Sequence, residues 1–126
     1  MAQKTIKIPG PDHPITITPS GARVVVKAGG KVIVDTRRAL VLRETAYGPA
    51  YYVPREDTHM DLLERSEHQS TCPYKGDASY YSILAGGARS VNAVWSYEAP
   101  YESVAQIKAY LAFYPDRVDE ISVDEA

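Results

Sequence analysis

The chain has one cysteine, Cys72, so an internal disulfide is excluded and a reducing compartment fits. It contains no apolar run of roughly 18 residues, so no membrane-spanning helix is indicated. Neither sign of charge dominates. Lys and Arg number 14 and Asp and Glu 16, a net charge of -2, which lacks the basic face usual in nucleic-acid modules. The opening MAQKTIKIPG has no apolar core of a secretory signal, so a cytoplasmic location is expected. Neither nucleic acid nor a membrane is expected as a partner. The 126 residues, 44% hydrophobic and 24% charged, suit a single globular domain over residues 1–126 that can bury a core without cross-links.

Phenylalanine and tryptophan are also scarce. One Phe and one Trp stand against ten Tyr. A core built for oil alone would use Phe, which needs no hydrogen-bond partner, whereas each Tyr hydroxyl must be wet or paired. The rings are therefore expected half-buried, at a cleft rim or a subunit interface, and a homodimer is one outcome.

The nine prolines are spread as punctuation. Pro9, Pro11, Pro14 and Pro19 forbid a helix at the start, and Ile15 to Thr18 alternates as a short edge strand would. Val/Ile-rich runs flank Ala28-Gly29-Gly30, and similar runs flank Ala85-Gly86-Gly87. Tight hairpin turns need positive φ, which Gly adopts freely, so both Gly pairs are expected at antiparallel hairpin tips. Ala39 to Arg43, Ala50 to Val53 and Tyr110 to Tyr114 are further strand candidates, the last of them final. Met60 to Glu64 is ambiguous. Ser103 and Gln106 have capping-box spacing, predicting one short helix near the C-terminus. The expected fold is mainly β, antiparallel hairpins in a barrel- or sandwich-like domain. Trp95, in the apolar run Val91 to Trp95, is expected to be largely buried.

Several phrases together carry a resemblance: PGPDHPI (9–15), YYVPREDTHMDLLERS (51–66), TCPYKGDASYYS (71–82), AVWSYEAP (93–100) and LAFYPDRVD (111–119). In this order they resemble a bacterial and fungal family, domain of unknown function 427, sometimes labelled nucleotidyltransferase-like. The resemblance runs through nearly the whole chain and implies a compact β-rich domain.

Three readings of the chemistry follow. In TCPYKG, Pro73 biases Cys72 to extended backbone, and Gly76 permits conformations other residues resist. A lysine beside a cysteine favours thiolate, which makes Cys72 and Lys75 candidates for catalysis, with His59 or His68 as the base. The plainer reading is a structural cysteine in a turn, with Lys75 paired to Asp77. Secondly, Trp95 and Tyr97 share a strand face. With Arg55, Tyr74, Lys75 and Tyr80 they would form an aromatic cleft with a cationic rim for a small molecule, an anion being one option. Thirdly, the transferase label requires carboxylates holding two metal ions. Glu56 and Asp57 are adjacent and would point to opposite faces of a strand. Asp57 and Asp61 align only on a helix, and no phosphate-binding loop is present. His13, His59, His68 and Cys72 lack paired metal-ligand spacing. No metal or cofactor is expected.

Overall fold

The computed structural model describes residues 6–124. It is mainly β. Among the described residues ten strands form three antiparallel sheets that do not close into a barrel, and helical structure is confined to short 3₁₀ segments. One sheet has the order β1-β4-β5, from β1 (Ile15–Pro19), β4 (Leu40–Glu44) and β5 (Ala50–Tyr52). A second has the order β10-β2-β3, from β2 (Arg23–Ala28), β3 (Lys31–Thr36) and β10 (Glu120–Asp124). The third runs in chain order through β6 (Leu63–Cys72), β7 (Gly76–Ile83), β8 (Val94–Ser96) and β9 (Leu111–Phe113). A single bridge, Val53 with Leu111, joins the first sheet to the third through reciprocal N–H to O bonds of 2.8 and 2.9 Å.

Strand alternation gives these joined sheets two apolar faces. Val53, Tyr81, Ile83, Val94, Leu111 and Phe113 pack with Val24, Val26, Ile33 and Val34 of β2 and β3 in one core. Leu42, Tyr52, Ala78, Tyr80 and Ala112 pack with Tyr97, Val104 and Ile107 in the other. Each Tyr-Tyr pair is split between the two. The expectation of half-buried tyrosines holds for Tyr51, Tyr74, Tyr101, Tyr110 and Tyr114 and fails for Tyr52, Tyr80, Tyr81 and Tyr97, which are buried. Three of their hydroxyls have partners inside the protein. Tyr52 Oη accepts from Trp95 Nε1 at 3.0 Å, Tyr81 Oη accepts from Arg55 at 3.3 Å, and Tyr80 Oη and Ser70 Oγ share a bond of 2.8 Å. Such partners satisfy the hydroxyl that otherwise keeps Tyr at the surface.

The two Ala-Gly-Gly segments differ. Gly29 and Gly30, at φ 58° and 76°, are the two-residue link from β2 to β3, the left-handed pair of a type I′ turn. Gly86 and Gly87 are not a hairpin tip. They lie in a kinked 3₁₀ run, Leu84–Ser90, although β7 and β8 on either side do pair antiparallel. The two segments pack against each other. A Cβ on Gly29 would come within 2.0 Å of the Ala85 carbonyl oxygen, and one on Gly86 within 1.9 Å of Ser90 Oγ. Gly86 is thus small for close approach, whereas Gly87, at φ 61° with nothing within 4 Å of its Cβ position, is set by backbone conformation.

Other expectations also shift. β6 is polar on both faces, so alternation does not announce it, and β10 follows the strand expected to be final. The capping box does not form. Glu102–Ile107 is a 3₁₀ segment kinked at Val104, with Tyr101 at its start and no side-chain cap. Trp95 is only half-buried, because its ring borders a cleft.

The glycine contacts yield a paired test. Gly29→Ala places a methyl against backbone at a left-handed position and should cost about 2–5 kcal/mol, from left-handed strain plus overpacking. Gly30→Ala meets nothing within 4 Å and should cost only about 1–2 kcal/mol of left-handed strain. Urea midpoints for the two variants check the order; equal losses would contradict the contact between the segments.

Candidate functional site

The TCPYKG segment is the tip of the β6–β7 hairpin. Cys72 and Gly76 are register partners, the Lys75 N–H donates to the Cys72 carbonyl at 3.3 Å, and Gly76 adopts φ 111°. This turn carries Lys75 inward, where the residue is 9% exposed. A lysine is rarely buried this far unless paired. Its partner is Glu44 at the end of β4, with Nζ 2.5 Å from Oε1. Glu44 also bonds His13 Nε2 at 2.6 Å, and the His13 ring stacks on Tyr74 at 3.9 Å between centroids. Asp77 is not the partner of Lys75; it accepts a bond from the Thr71 hydroxyl at 2.8 Å.

Beside this ion pair lies a cleft of about 250 Å³. Leu42, Ala50 and six aromatic side chains wall it: Tyr47, Tyr52, Tyr80, Trp95, Tyr97 and Tyr114, with Lys75 and Glu44 at one end. Trp95 and Tyr114 lie tilted against each other at 4.5 Å between centroids. Lys75 Nζ sits 5.9 Å from the centre of the Tyr97 ring, within cation–π range. Of the residues expected from sequence, Lys75, Tyr80, Trp95 and Tyr97 meet here. Tyr74 stands behind the ion pair, on His13. Cys72 Sγ is 3.9 Å from Lys75 Nζ but is not part of the cleft wall.

Arg55 lies elsewhere. Its guanidinium bonds the Ala109 carbonyl at 2.7 Å, Tyr81 Oη and Ser96 Oγ at 3.3 Å and Glu98 at 3.2 Å. Arg65 joins the same Glu98 at 2.8 Å. This network ties the Arg55–Asp57 segment to the third sheet. His68 packs edge-on against Tyr80 at 4.5 Å.

Glu44, Tyr52 and Tyr114 were not anticipated in the site. One signal for Glu44 was available: Leu40, Leu42 and Glu44 share a strand face, which places a carboxylate in line with core leucines. Nothing local marks Tyr114, which reaches the cleft by tertiary packing.

The electrostatics make this a set of neutral phenols beside a closed ion pair. Burial pushes the phenols of Tyr52 and Tyr97 well above the ordinary tyrosine range. Burial, with the Tyr80 hydrogen bond, pushes Tyr114 up to about 12. Burial is also the largest single influence on the Glu44 carboxyl and acts upward. Hydrogen bonds from Lys75 and His13 more than cancel it and hold the carboxyl below its ordinary value. The arrangement offers aromatic faces, neutral hydroxyls, one ammonium donor and one carboxylate acceptor.

Of the carboxylates weighed for two-metal phosphoryl chemistry, Asp57 is already engaged. It accepts bonds from Thr36 at 2.7 Å and from Arg38 at 3.2 Å. Among the described residues no group of three or more His, Cys, Asp or Glu could hold a metal ion. No described helix is long and apolar enough to cross a membrane.

A family model described as Domain of unknown function (DUF427) matches residues 16–124. The chain belongs to that family. No curated protein matches it.

The depressed Glu44 carboxyl predicts a pH signature. Its stabilising contribution is complete above its unfolded value of 4.5 and is lost as pH falls through the lower folded value. Glu44→Gln removes that component and leaves every other carboxylate in place. Urea midpoints measured from pH 7 to pH 3 should therefore fall less steeply for the variant than for the parent below about pH 4.5. Parallel curves would show that the ion pair does not hold Glu44 ionised.

Proposed function

We propose that this member of the DUF427 family binds a small polar molecule with a planar ring in the cleft between Trp95 and Lys75. The observation that carries this reading is a buried ammonium at the end of an aromatic-walled hollow in which Trp95, the chain's one tryptophan, keeps part of its ring open. Small-ligand sites pair apolar walls with a few convergent polar groups that orient the ligand, and this cleft has that composition. The ring would lie against Trp95 and Tyr114. The polar end would accept from Lys75 and donate to Glu44. Because Glu44 offsets the Lys75 charge, an uncharged ligand with both a donor and an acceptor fits better than an anion.

Cys72 packs beside Lys75 outside the cleft wall, so binding and not cysteine chemistry is proposed. Asp57 is already held by Thr36 and Arg38, so a metal-assisted transfer is not pursued.

Trp95 makes the test direct, since all tryptophan emission comes from the cleft. Compounds that raise the melting temperature in a small-molecule screen should also shift or quench that emission. Lys75→Met keeps the side chain's bulk and removes its charged hydrogen bond. It should weaken the hits roughly 10- to 100-fold, as expected for one such bond. Stabilising compounds that leave Trp95 emission untouched, or that bind Lys75→Met as tightly as the parent, would overturn the reading.

A further inference from the structure

On the other side of Trp95 lies a second hollow, of about 290 Å³. Among the described residues its walls include Val24, Val26, Tyr51, Phe113, Ile121 and Val123, and none of those lining it is charged. Ala50 and Trp95 belong to the walls of both hollows, so the two adjoin across these side chains. The gap has a backbone cause. β5 and β9 are held by the one bridge at Val53 and Leu111. Pro49 and Pro115, which flank the free ends of these strands, line the hollow and have no N–H to continue a ladder.

Volume decides what such a pair of spaces suits. Ligand sites usually measure about 300–1,000 Å³. Each hollow alone sits near the lower end of that range, and the two taken as one space fall well inside it. Their chemistries differ, with ammonium, carboxylate and phenols on one side and mostly aliphatic side chains with Tyr51 and no charge among the described residues on the other. We infer that the ligand is amphipathic: a polar ring seated between Trp95 and Lys75, carrying an apolar tail that passes Ala50 and fills the hollow between β2, β9 and β10. This inference rests on the proposed reading of the cleft and adds the class of molecule.

The experiment uses 4-alkylbenzamides, from benzamide itself to the hexyl compound, titrated into the full chain and followed by Trp95 emission and calorimetry. The amide both donates and accepts, and the alkyl group varies only the tail. Affinity should rise about fourfold per added methylene while the tail is being buried, then level off once the hollow is full. Val123 is 36% exposed at the rim of the hollow, so Val123→Phe should fill the space from its edge and flatten the rise. A thermal melt checks its fold, and the series on the parent protein is decisive without it. Benzamide binding with no gain from the tail would overturn the amphipathic ligand and leave the cleft reading standing. A gain with tail length that is indifferent to Lys75→Met would overturn the cleft reading instead, and with it the polar head assigned here. No binding by any member of the series would count against both.

Discussion

A lysine ammonium held inside an aromatic wall needs a counter-charge, and this requirement organises much of the molecule. Lys75 comes from the tip of the β6–β7 hairpin, Glu44 from the end of β4, and His13 from the proline-rich start. Each is 31 residues or more from the next, so only the completed fold brings them together. Removing one partner of a buried pair leaves the other charge uncompensated, which costs far more than the pair itself gains. The pair therefore acts as a constraint on register: β4, the hairpin tip and the N-terminal bend must all be in place for it to close. Its net neutrality is also the reason an uncharged ligand is proposed, because the cleft presents a donor and an acceptor side by side and little net field.

The aromatic composition belongs to the same design. The sheet formed by joining β1-β4-β5 to β6 through β9 is covered on both faces, so tyrosines on either face go into a core. Tyr52, Tyr80 and Tyr81 remain there because Trp95, Ser70 and Arg55 satisfy their hydroxyls. Phenylalanine would fill the volume but would leave the indole N–H of Trp95 and the Arg55 guanidinium each one partner short. Polar satisfaction thus links the core to the cleft: Tyr52 is core on its ring and cleft wall at its oxygen.

How far the fold was legible depended on whether a signal was local. Gly29 and Gly30 sit between alternating valines, and a positive-φ requirement was the right reading. Gly86 and Gly87 look the same in sequence, yet Gly86 is small because the Ser90 side chain fills the space a Cβ would take, and Gly87 alone keeps a positive-φ reason. The 3₁₀ fold that brings Ser90 back onto Gly86 is not signalled by the glycine pair itself. β6 escaped notice because Leu63 to Cys72 is polar on both faces, and period-two alternation marks only strands with one wet face. In the cleft, Lys75, Tyr80, Trp95 and Tyr97 were identifiable from residue type and strand spacing. Arg55 has the right chemistry, but its bonds to Ala109, Tyr81, Ser96 and Glu98 take it to a different part of the sheet.

The sequence by itself determined the class of the fold, the type I′ turn at Gly29-Gly30 and the aromatic character of the site. These follow from propensity, periodicity and residue chemistry, which act over a few neighbouring positions. Tertiary structure alone decided that Lys75 pairs with Glu44 and not with nearby Asp77, that Trp95 is half-open, and that two hollows adjoin at Ala50. Those outcomes turn on which distant strands share a face and where the β5–β9 ladder stops. An ion pair closes where two side chains meet in space, and a hollow forms where prolines end a ladder between strands far apart in the chain.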